Sequence, residues 1–139
     1  MKIINPYITF DGNTEEAFNF YRSVFGGEFA TIMRFGDAPE SAQLPEDEKS
    51  KIVHVALPIG KETVLMGSDV PGSMGSVNQG NNFSISVSTD NKEETDKIFS
   101  ALSGGGKTTM APGNTFWGAY FGMCTDKFGI QWMISNQNS

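Results

Sequence analysis

An internal repeat constrains this sequence more than any other feature. The segment that begins at Asn13 can be laid over the segment that begins at Asn91, an offset of 78 residues. The matched residues are Asn13 with Asn91, Glu15 with Glu93, Glu16 with Glu94, and Gly26–Gly27 with Gly104–Gly105. Since the chain has 139 residues, two copies fill it, and each copy is expected to be one supersecondary unit.

The matched positions are those that begin and end a helix. An Asn side chain can cap free backbone N–H groups, and a Glu three residues later can reach back to the cap and favours the positive end of the helix dipole. A glycine at the other end supplies a left-handed residue without steric cost. The predicted caps are Asn13 and Asn91, their Glu partners are Glu16 and Glu94, and the terminating glycines are Gly26 and Gly104.

Segments that alternate or run apolar over strand lengths surround each predicted helix. They are residues 3–10, 28–35, 52–59 and 63–67 in the first half, and residues 83–89, 107–111, 117–125 and 130–135 in the second. Each half therefore predicts the order βαβββ, with hairpin links at the turns before the last strands. The expected fold class is α+β, with two βαβββ modules that form a curled, mostly antiparallel sheet.

Two stretches of 16 residues do not fit this scheme. Residues 36–51 hold two Pro and five acids, and residues 67–82 are rich in Gly, Ser and Asn. Both predict surface loops, and loops of this length are often lids or mobile segments. For the second, a solvated linker is an equal alternative. We expect modules at about residues 1–68 and 82–139, joined by this linker.

The charge and the cysteine content limit the partners and the location. Ten Lys and Arg against sixteen Asp and Glu give a net charge of −6, the wrong sign for a surface that binds nucleic acid or an anionic membrane. No apolar run reaches the roughly 18 residues of a membrane span. One Cys excludes an intramolecular disulfide, and the start MKIINPYITF lacks an apolar signal region. We therefore expect a reducing, cytoplasmic location.

His54 is the only histidine, and it lies in the strand-like run IVHVALPIG. A metal site with two histidines of one chain is therefore excluded. Two interpretations stay open: a structural His bonded within the sheet, or a candidate catalytic group that moves a proton or orients a ligand in a pocket. Cys124 has no flanking basic cluster, so we expect a buried apolar residue and not a nucleophile. Asp126 is expected in the turn before the last strand.

Aromatic and thioether side chains of both halves are candidates for the walls of a pocket. If the sheet curls, some of them meet on its concave face, and the alternative is plain core packing. A Trp is costly to bury unless its indole N–H finds a partner, so Trp117 and Trp132 are the favoured walls of a wet pocket. The predicted pocket residues are Tyr7, Met66, Phe83, Trp117, Tyr120, Trp132 and Met133.

The runs NPYITFDGNTEEAFNFY, RFGDAPES, HVALPIGKETVLMGSD and TFWGAYFGMCTDKFGIQWMIS cover most of the chain. They resemble the PhnB-like branch of the vicinal oxygen chelate superfamily, which includes glyoxalase I, extradiol dioxygenases, and the bleomycin and fosfomycin resistance proteins. The resemblance implies paired modules whose sheets curl around one cleft, and a homodimer whose interface supports the site.

The resemblance also implies where a divalent metal would be held. Catalytic members use His, Glu or Gln on the first and last strands of each module. Carried onto this chain, these positions fall near residues 5–7, Met66, residues 83–84 and Met133, where no His or carboxylate stands. Thioethers and amides are poor ligands for Mg²⁺, Mn²⁺ or Zn²⁺. We therefore expect no cofactor, unless other residues hold a divalent ion.

Two hypotheses of function follow. In the first, the protein is metal-free and binds a small, partly aromatic or apolar molecule in the cleft of its two modules, as the bleomycin resistance members do. In the second, it is a lyase, isomerase or dioxygenase with His54 as base. The name demethylubiquinone methyltransferase, which some members of this branch carry, finds no support, because the chain lacks the Gly-rich loop and the parallel sheet that commonly hold S-adenosylmethionine.

Overall fold

The computed structural model describes residues 1–39 and 41–137 and has the predicted α+β architecture. It contains two four-stranded mixed sheets. The chain packs as two units, Met1–Asn78 and Gln79–Ser139, called unit 1 and unit 2 below. Each unit consists of one sheet with one 12-residue helix packed against it.

Unit 1 follows the predicted order, with one short helix added. Its elements are β1 (Tyr7–Phe10), α1 (Thr14–Phe25), β2 (Thr31–Arg34), α2 (Glu46–Lys49), β3 (Ile52–Ile59) and β4 (Thr63–Asp69). The strand order is β1-β4-β3-β2. Strand β1 lies parallel to β4, and the other two pairs are antiparallel. The predicted meander therefore accounts for three strands, and the first strand joins the sheet beside the last.

Unit 2 repeats this topology. Its elements are β5 (Ile85–Ser88), α3 (Lys92–Ser103), β6 (Lys107–Asn114), β7 (Ala119–Thr125) and β8 (Gln131–Gln137). The strand order is β5-β8-β7-β6, again with one parallel and two antiparallel pairs. No helix in the part of the chain that the structure describes is long and apolar enough to cross a bilayer.

The sheet of unit 1 has a helix face, packed on α1, and a far face on the opposite side. Along β4, Leu65, Gly67 and Asp69 are buried toward the helix. A Cβ atom at Gly67 would lie 2.7 Å from Cε1 of Phe18, so the helix can approach this strand only at a glycine. Because side chains alternate along a strand, Met66 and the serine that follows Gly67 project from the far face.

The sheet of unit 2 is built in the same way. A Cβ atom at Gly122 would lie 3.0 Å from Cδ2 of Phe99, so this position faces α3. Cys124, Trp132 and Ile134 are buried on the same side. By alternation, Met133 projects from the far face of this sheet.

A single carboxylate ties three elements of unit 1 together. Asp69, at the end of β4, is buried. Its Oδ1 accepts hydrogen bonds from the backbone N–H of Thr14, at 3.0 Å, and from the Thr14 hydroxyl, at 2.6 Å. Its Oδ2 accepts a bond from the N–H of Ile52, at 2.8 Å. The start of α1 and the start of β3 are therefore held against the end of β4.

The two helices begin differently, although the sequence predicts the same cap for both. The prediction is confirmed for Asn91, whose side chain accepts a hydrogen bond from the N–H of Glu94 at 2.8 Å. It is wrong for Asn13, whose side chain makes no cap hydrogen bond. The physical reason lies in the backbone of the two residues, because Asn91 has the extended conformation of a capping residue (φ −158°, ψ 171°), whereas Asn13 has φ −116° and ψ 26°.

The ends of the helices and the first long loop also differ from expectation. Gly26 has the predicted positive φ of 81°, but Gly104 has a φ of −62°, and the positive value of 76° falls on Gly105. Residues 36–51 are not a plain loop, because they include α2 and a 3-10 turn at Ser41–Gln43.

We predict that Asp69→Asn destabilises the protein by about 2 to 4 kcal/mol, because an amide cannot accept all three hydrogen bonds and leaves buried donors unsatisfied. The measurement is urea unfolding followed by far-UV circular dichroism. Asp47→Asn, which neutralises an exposed acid of α2 in the same unit, is the control and is expected to change stability by less than about 0.5 kcal/mol. Equal midpoints for both variants would contradict the anchoring role of Asp69.

Candidate functional site

His54 and Tyr7 form a pair on the far face of unit 1. Their rings are stacked, with centroids 5.8 Å apart and planes at 24°. Tyr7 Oη and His54 Nδ1 are 3.5 Å apart, at the long limit of a hydrogen bond. Tyr7 is 49% exposed and His54 is partly buried. The structure therefore places an accessible imidazole beside a phenol, and not a His packed into the core.

The strand register arranges the far face of unit 1 in two rows across the sheet. Tyr7 is level with Met66, Met66 with Ala56, and Ala56 with Thr31; this is the first row. The second row contains Thr9, Ser68, His54 and Met33. Thr9 is the partner of Ser68, and Met33 the partner of His54. Val55 pairs with Gly67, and the two strands are antiparallel. The residue before Val55, His54, therefore lies beside the residue after Gly67, Ser68.

Thr9 and Ser68 are far-face residues that the sequence analysis missed. Their hydroxyl groups make no hydrogen bond with any residue of 1–39 or 41–137. The hydroxyls of Thr14, Ser41 and Thr115, by contrast, are all bonded within the protein. The sequence signal for this placement is the alternation of side chains in the runs ITF and MGSD. It assigns them to this face only once it is known which side of the sheet α1 covers.

Three of the predicted pocket residues, Met133, Trp117 and Phe83, belong to unit 2. Met133 projects from the far face of its own sheet, level with Met123 and Ser86. Trp117 lies in the turn between β6 and β7, 51% exposed, with its ring 5.8 Å from that of Phe121. Phe83 precedes β5 and is exposed. Of the predicted site residues in unit 1, the structure brings Tyr7, Met66 and His54 together on one face of the sheet.

Trp132 and Tyr120 are not on the far face, and the prediction that Trp132 forms the wall of a wet pocket is corrected. Trp132 is only 1% exposed, on the helix side of the sheet. Its indole N–H donates to Oδ2 of Asp126 at 2.8 Å. This hydrogen bond offsets the cost of burying the polar group of the Trp. Tyr120 points to the same side, where its hydroxyl donates to Asp96 of α3 at 2.6 Å.

A separate groove of about 450 Å³ lies beside α2 in unit 1. Its lining residues are Phe35, Leu44, Pro45, Glu48 and Pro71. The Glu48 carboxylate is already engaged, because it pairs with the Lys51 ammonium at 2.5 Å and accepts the Gly72 N–H at 2.9 Å. Both hydrogen bonds lower the pKa of Glu48, and the bond from Lys51 has the larger effect. None of the predicted site residues lines this groove.

Comparison with known proteins agrees with this architecture. Residues 2–135 match the family model described as 3-demethylubiquinone-9 3-methyltransferase. Protein YjdN of Escherichia coli is 31% identical over 95% of this chain and 93% of its own length. Protein PA1353 of Pseudomonas aeruginosa is 40% identical, with a TM-score of 0.88 over the whole of both chains. A PhnB protein of Bacillus cereus, described as a putative 3-demethylubiquinone-9 3-methyltransferase, is 26% identical, with a TM-score of 0.76 over 97% of this chain and 99% of its own.

The chain belongs to the PhnB-like family that this model describes, and it has the fold of the vicinal oxygen chelate superfamily. This confirms the resemblance noted from the sequence. The methyltransferase wording is the name of the family model, and the reaction of this PhnB-like chain is not established.

The PhnB-like fold allows the positions that hold a metal in the superfamily to be tested residue by residue. In unit 1 they are Tyr7 and Met66, which are paired on adjacent strands. In unit 2 the residue paired with Met133 is Ser86, so the expected position at residues 83–84 is displaced to Ser86. A phenol, a hydroxyl and two thioethers do not suit a hard divalent cation. Among the described residues, no group of three or more His, Cys, Asp or Glu is placed to hold a metal ion.

Cys124 has the environment of an inert thiol. It is buried between the sheet of unit 2 and α3. Burial, and secondarily the charge of Asp126, raise its pKa to about 11. Asp126 itself lies in the predicted turn, where its Oδ1 accepts the N–H groups of Phe128 and Ile130. The expectation that Cys124 is a buried residue agrees with this geometry.

We predict that Cys124 of the folded protein reacts with 5,5′-dithiobis(2-nitrobenzoate) at pH 8 at least 100-fold more slowly than in the urea-unfolded chain. With a pKa of about 11, roughly one thiol in a thousand is ionised at that pH, and the sulfur is also inaccessible. Because the chain has one Cys, the absorbance at 412 nm reports this residue alone. Equal rates in both states would contradict the burial of the thiol.

We predict that the two tryptophans differ strongly in quenching by acrylamide. In Trp132→Phe only the half-exposed Trp117 emits, and in Trp117→Phe only the buried Trp132 emits. The Stern–Volmer constant is expected to be several-fold larger for Trp132→Phe, with emission at longer wavelength. Circular dichroism of both variants checks that the fold is retained. Similar constants in the two variants would restore Trp132 as a wall of an open pocket.

Proposed function

We propose that this PhnB-like protein binds a small organic molecule on the far face of the unit 1 sheet. The observation that carries the proposal is the stacked pair of His54 and Tyr7, which lies partly exposed on the far face of the sheet and not against α1. A face that combines an imidazole, a phenol and a thioether offers both apolar contact and directional hydrogen bonds, which is typical of small-molecule sites.

The side chains around this pair support the proposal. Met66 is level with Tyr7, and its flexible thioether can adapt to an aromatic or aliphatic group. Ser68 and Thr9 add hydroxyls that form no bond within the described chain. A core-facing surface would have bonded such groups or replaced them by apolar residues. The far face is therefore suited to receive a ligand.

A second candidate, an enzyme of the same superfamily, draws its support from the same pair. A phenol beside Nδ1 can fix the tautomer of His54 and so prepare Nε2 to give or take a proton. This candidate requires chemical change of the bound molecule, whereas the binding function requires only retention.

The homodimer expected from the resemblance stays part of the proposal. Several apolar side chains are exposed in the single chain, among them Ile3 and Ile4. Exposed apolar surface of this kind is common where protein surfaces associate. Light scattering coupled to gel filtration would give twice the 15.1 kDa mass of the chain if the dimer forms, and 15.1 kDa if it does not.

We predict that phenylacetamide, a neutral aromatic probe, shifts the ring signals of His54 in proton NMR spectra of the untagged protein, with a millimolar dissociation constant. Since the chain has one histidine, its Hε1 and Hδ2 signals need no assignment by mutation. Truncation of the stacked ring in Tyr7→Ala is expected to weaken binding at least five-fold, because the probe loses its largest apolar contact.

Phe116→Ala is the matched control for this experiment. Phe116 is 97% exposed and lies in unit 2, so the variant removes an accessible aromatic ring elsewhere. It is expected to leave the dissociation constant unchanged. Signals of His54 that do not move at 20 mM probe, or an equal loss of affinity in both variants, would rule out a small-molecule site on this face.

A further inference from the structure

The strands of unit 1 present no acid on their far face. The chain has sixteen Asp and Glu, yet the four strands of this sheet, all of which the structure describes, contain only one, Asp69. Its carboxylate is turned to the helix face, where it binds Thr14 and Ile52. An anion that lies against these strands therefore meets no carboxylate of the sheet itself, although the protein has a net charge of −6.

The second row of this face presents hydrogen-bond donors side by side. Thr9, Ser68 and His54 lie on the adjacent strands β1, β4 and β3, level with one another. The two hydroxyls are not used within the described part of the chain. A hydroxyl can rotate to donate to whatever acceptor arrives. Three neighbouring donors match the several lone pairs of one carboxylate.

The His54–Tyr7 pair contributes one outward donor whichever tautomer is present. If the Tyr7 hydroxyl donates to Nδ1, the imidazole proton is on Nε2 and is free to bond a ligand. If Nδ1–H donates to the Tyr7 oxygen, the phenol proton is free instead. In each case the pair can bind an anionic oxygen.

We propose that the ligand of this site is a small aromatic or aliphatic carboxylate. Its carboxylate oxygens accept hydrogen bonds from Thr9, Ser68 and the His54–Tyr7 pair, and its apolar part lies against Met66 and the Tyr7 ring. This inference rests on the proposed function, since it specifies the class of molecule that the same face binds. Bonds to an ionised acceptor are roughly twice as strong as neutral ones, which favours the carboxylate over an isosteric amide.

The test compares three probes of one shape by the shift of the His54 ring signals: phenylacetate, phenylacetamide and 2-phenylethylamine. We expect phenylacetate to bind at least five-fold more tightly than phenylacetamide, and 2-phenylethylamine to bind weakest. Equal or tighter binding of the amide or the amine would overturn the carboxylate class and leave the proposed function in place. Absence of any shift with all three probes would overturn both.

Two variants locate the carboxylate. Ser68→Ala and Thr9→Val each remove one donor with little change of volume, and each is expected to weaken phenylacetate at least three-fold more than it weakens phenylacetamide. Ser100→Ala, an exposed serine of α3 in unit 2, is the control and is expected to change neither constant. Equal losses of affinity for phenylacetate and phenylacetamide in Ser68→Ala would show that the hydroxyl does not distinguish the carboxylate from the amide. That result would overturn the placement of the carboxylate beside Ser68.

Discussion

Asp69 ends strand β4 and holds, with one carboxylate, the first residue of α1 and the first residue of β3. A strand that slips by one residue turns every side chain to the other face of the sheet. Because Asp69 must stay buried beside Thr14, Gly67 and Leu65 also face the helix, and Ser68 and Met66 are obliged to face away. The composition of the far face in unit 1 is therefore a consequence of this buried contact.

Unit 2 reaches the same topology with different contacts. Its helix begins with the side-chain cap of Asn91, and its buried carboxylate, Asp126, lies in the turn between β7 and β8 and not at a strand end. That carboxylate binds the indole of Trp132, so unit 2 uses its acid to bury a large aromatic ring, whereas unit 1 uses Asp69 to join a helix to two strands. The two copies thus share a topology but are stabilised by different buried contacts, and the residues on the far face can differ between them.

The repeat allowed the order of helices and strands in both units to be predicted, because helix ends and strand alternation are local signals. Strand β3 was predicted with its observed bounds, Ile52–Ile59, and the cap at Asn91 was also correct. The failures have other causes. Asn13 makes no cap bond because its backbone is not extended, and the first N–H of its helix is bound by Asp69, far along the chain. Trp132 is a core residue because Asp126, in the turn before its strand, accepts its N–H. His54 and Tyr7 were predicted as site residues, but their contact joins strands 47 residues apart and cannot be derived from spacing.

The residues at the superfamily's metal positions determine how such a face can bind an oxygen anion. A divalent cation would supply a large, compact positive charge, but a phenol and a thioether in unit 1 do not suit it. Neutral hydroxyl donors are weaker, since a hydrogen bond to a charged group contributes about 1.5 to 3 kcal/mol at best. In the site that we propose, apolar contact must therefore add to the affinity. On that proposal, Met66 and the stacked ring of Tyr7 supply this contact beside the donors, and a ligand that carries both a carboxylate and an apolar group makes use of both rows.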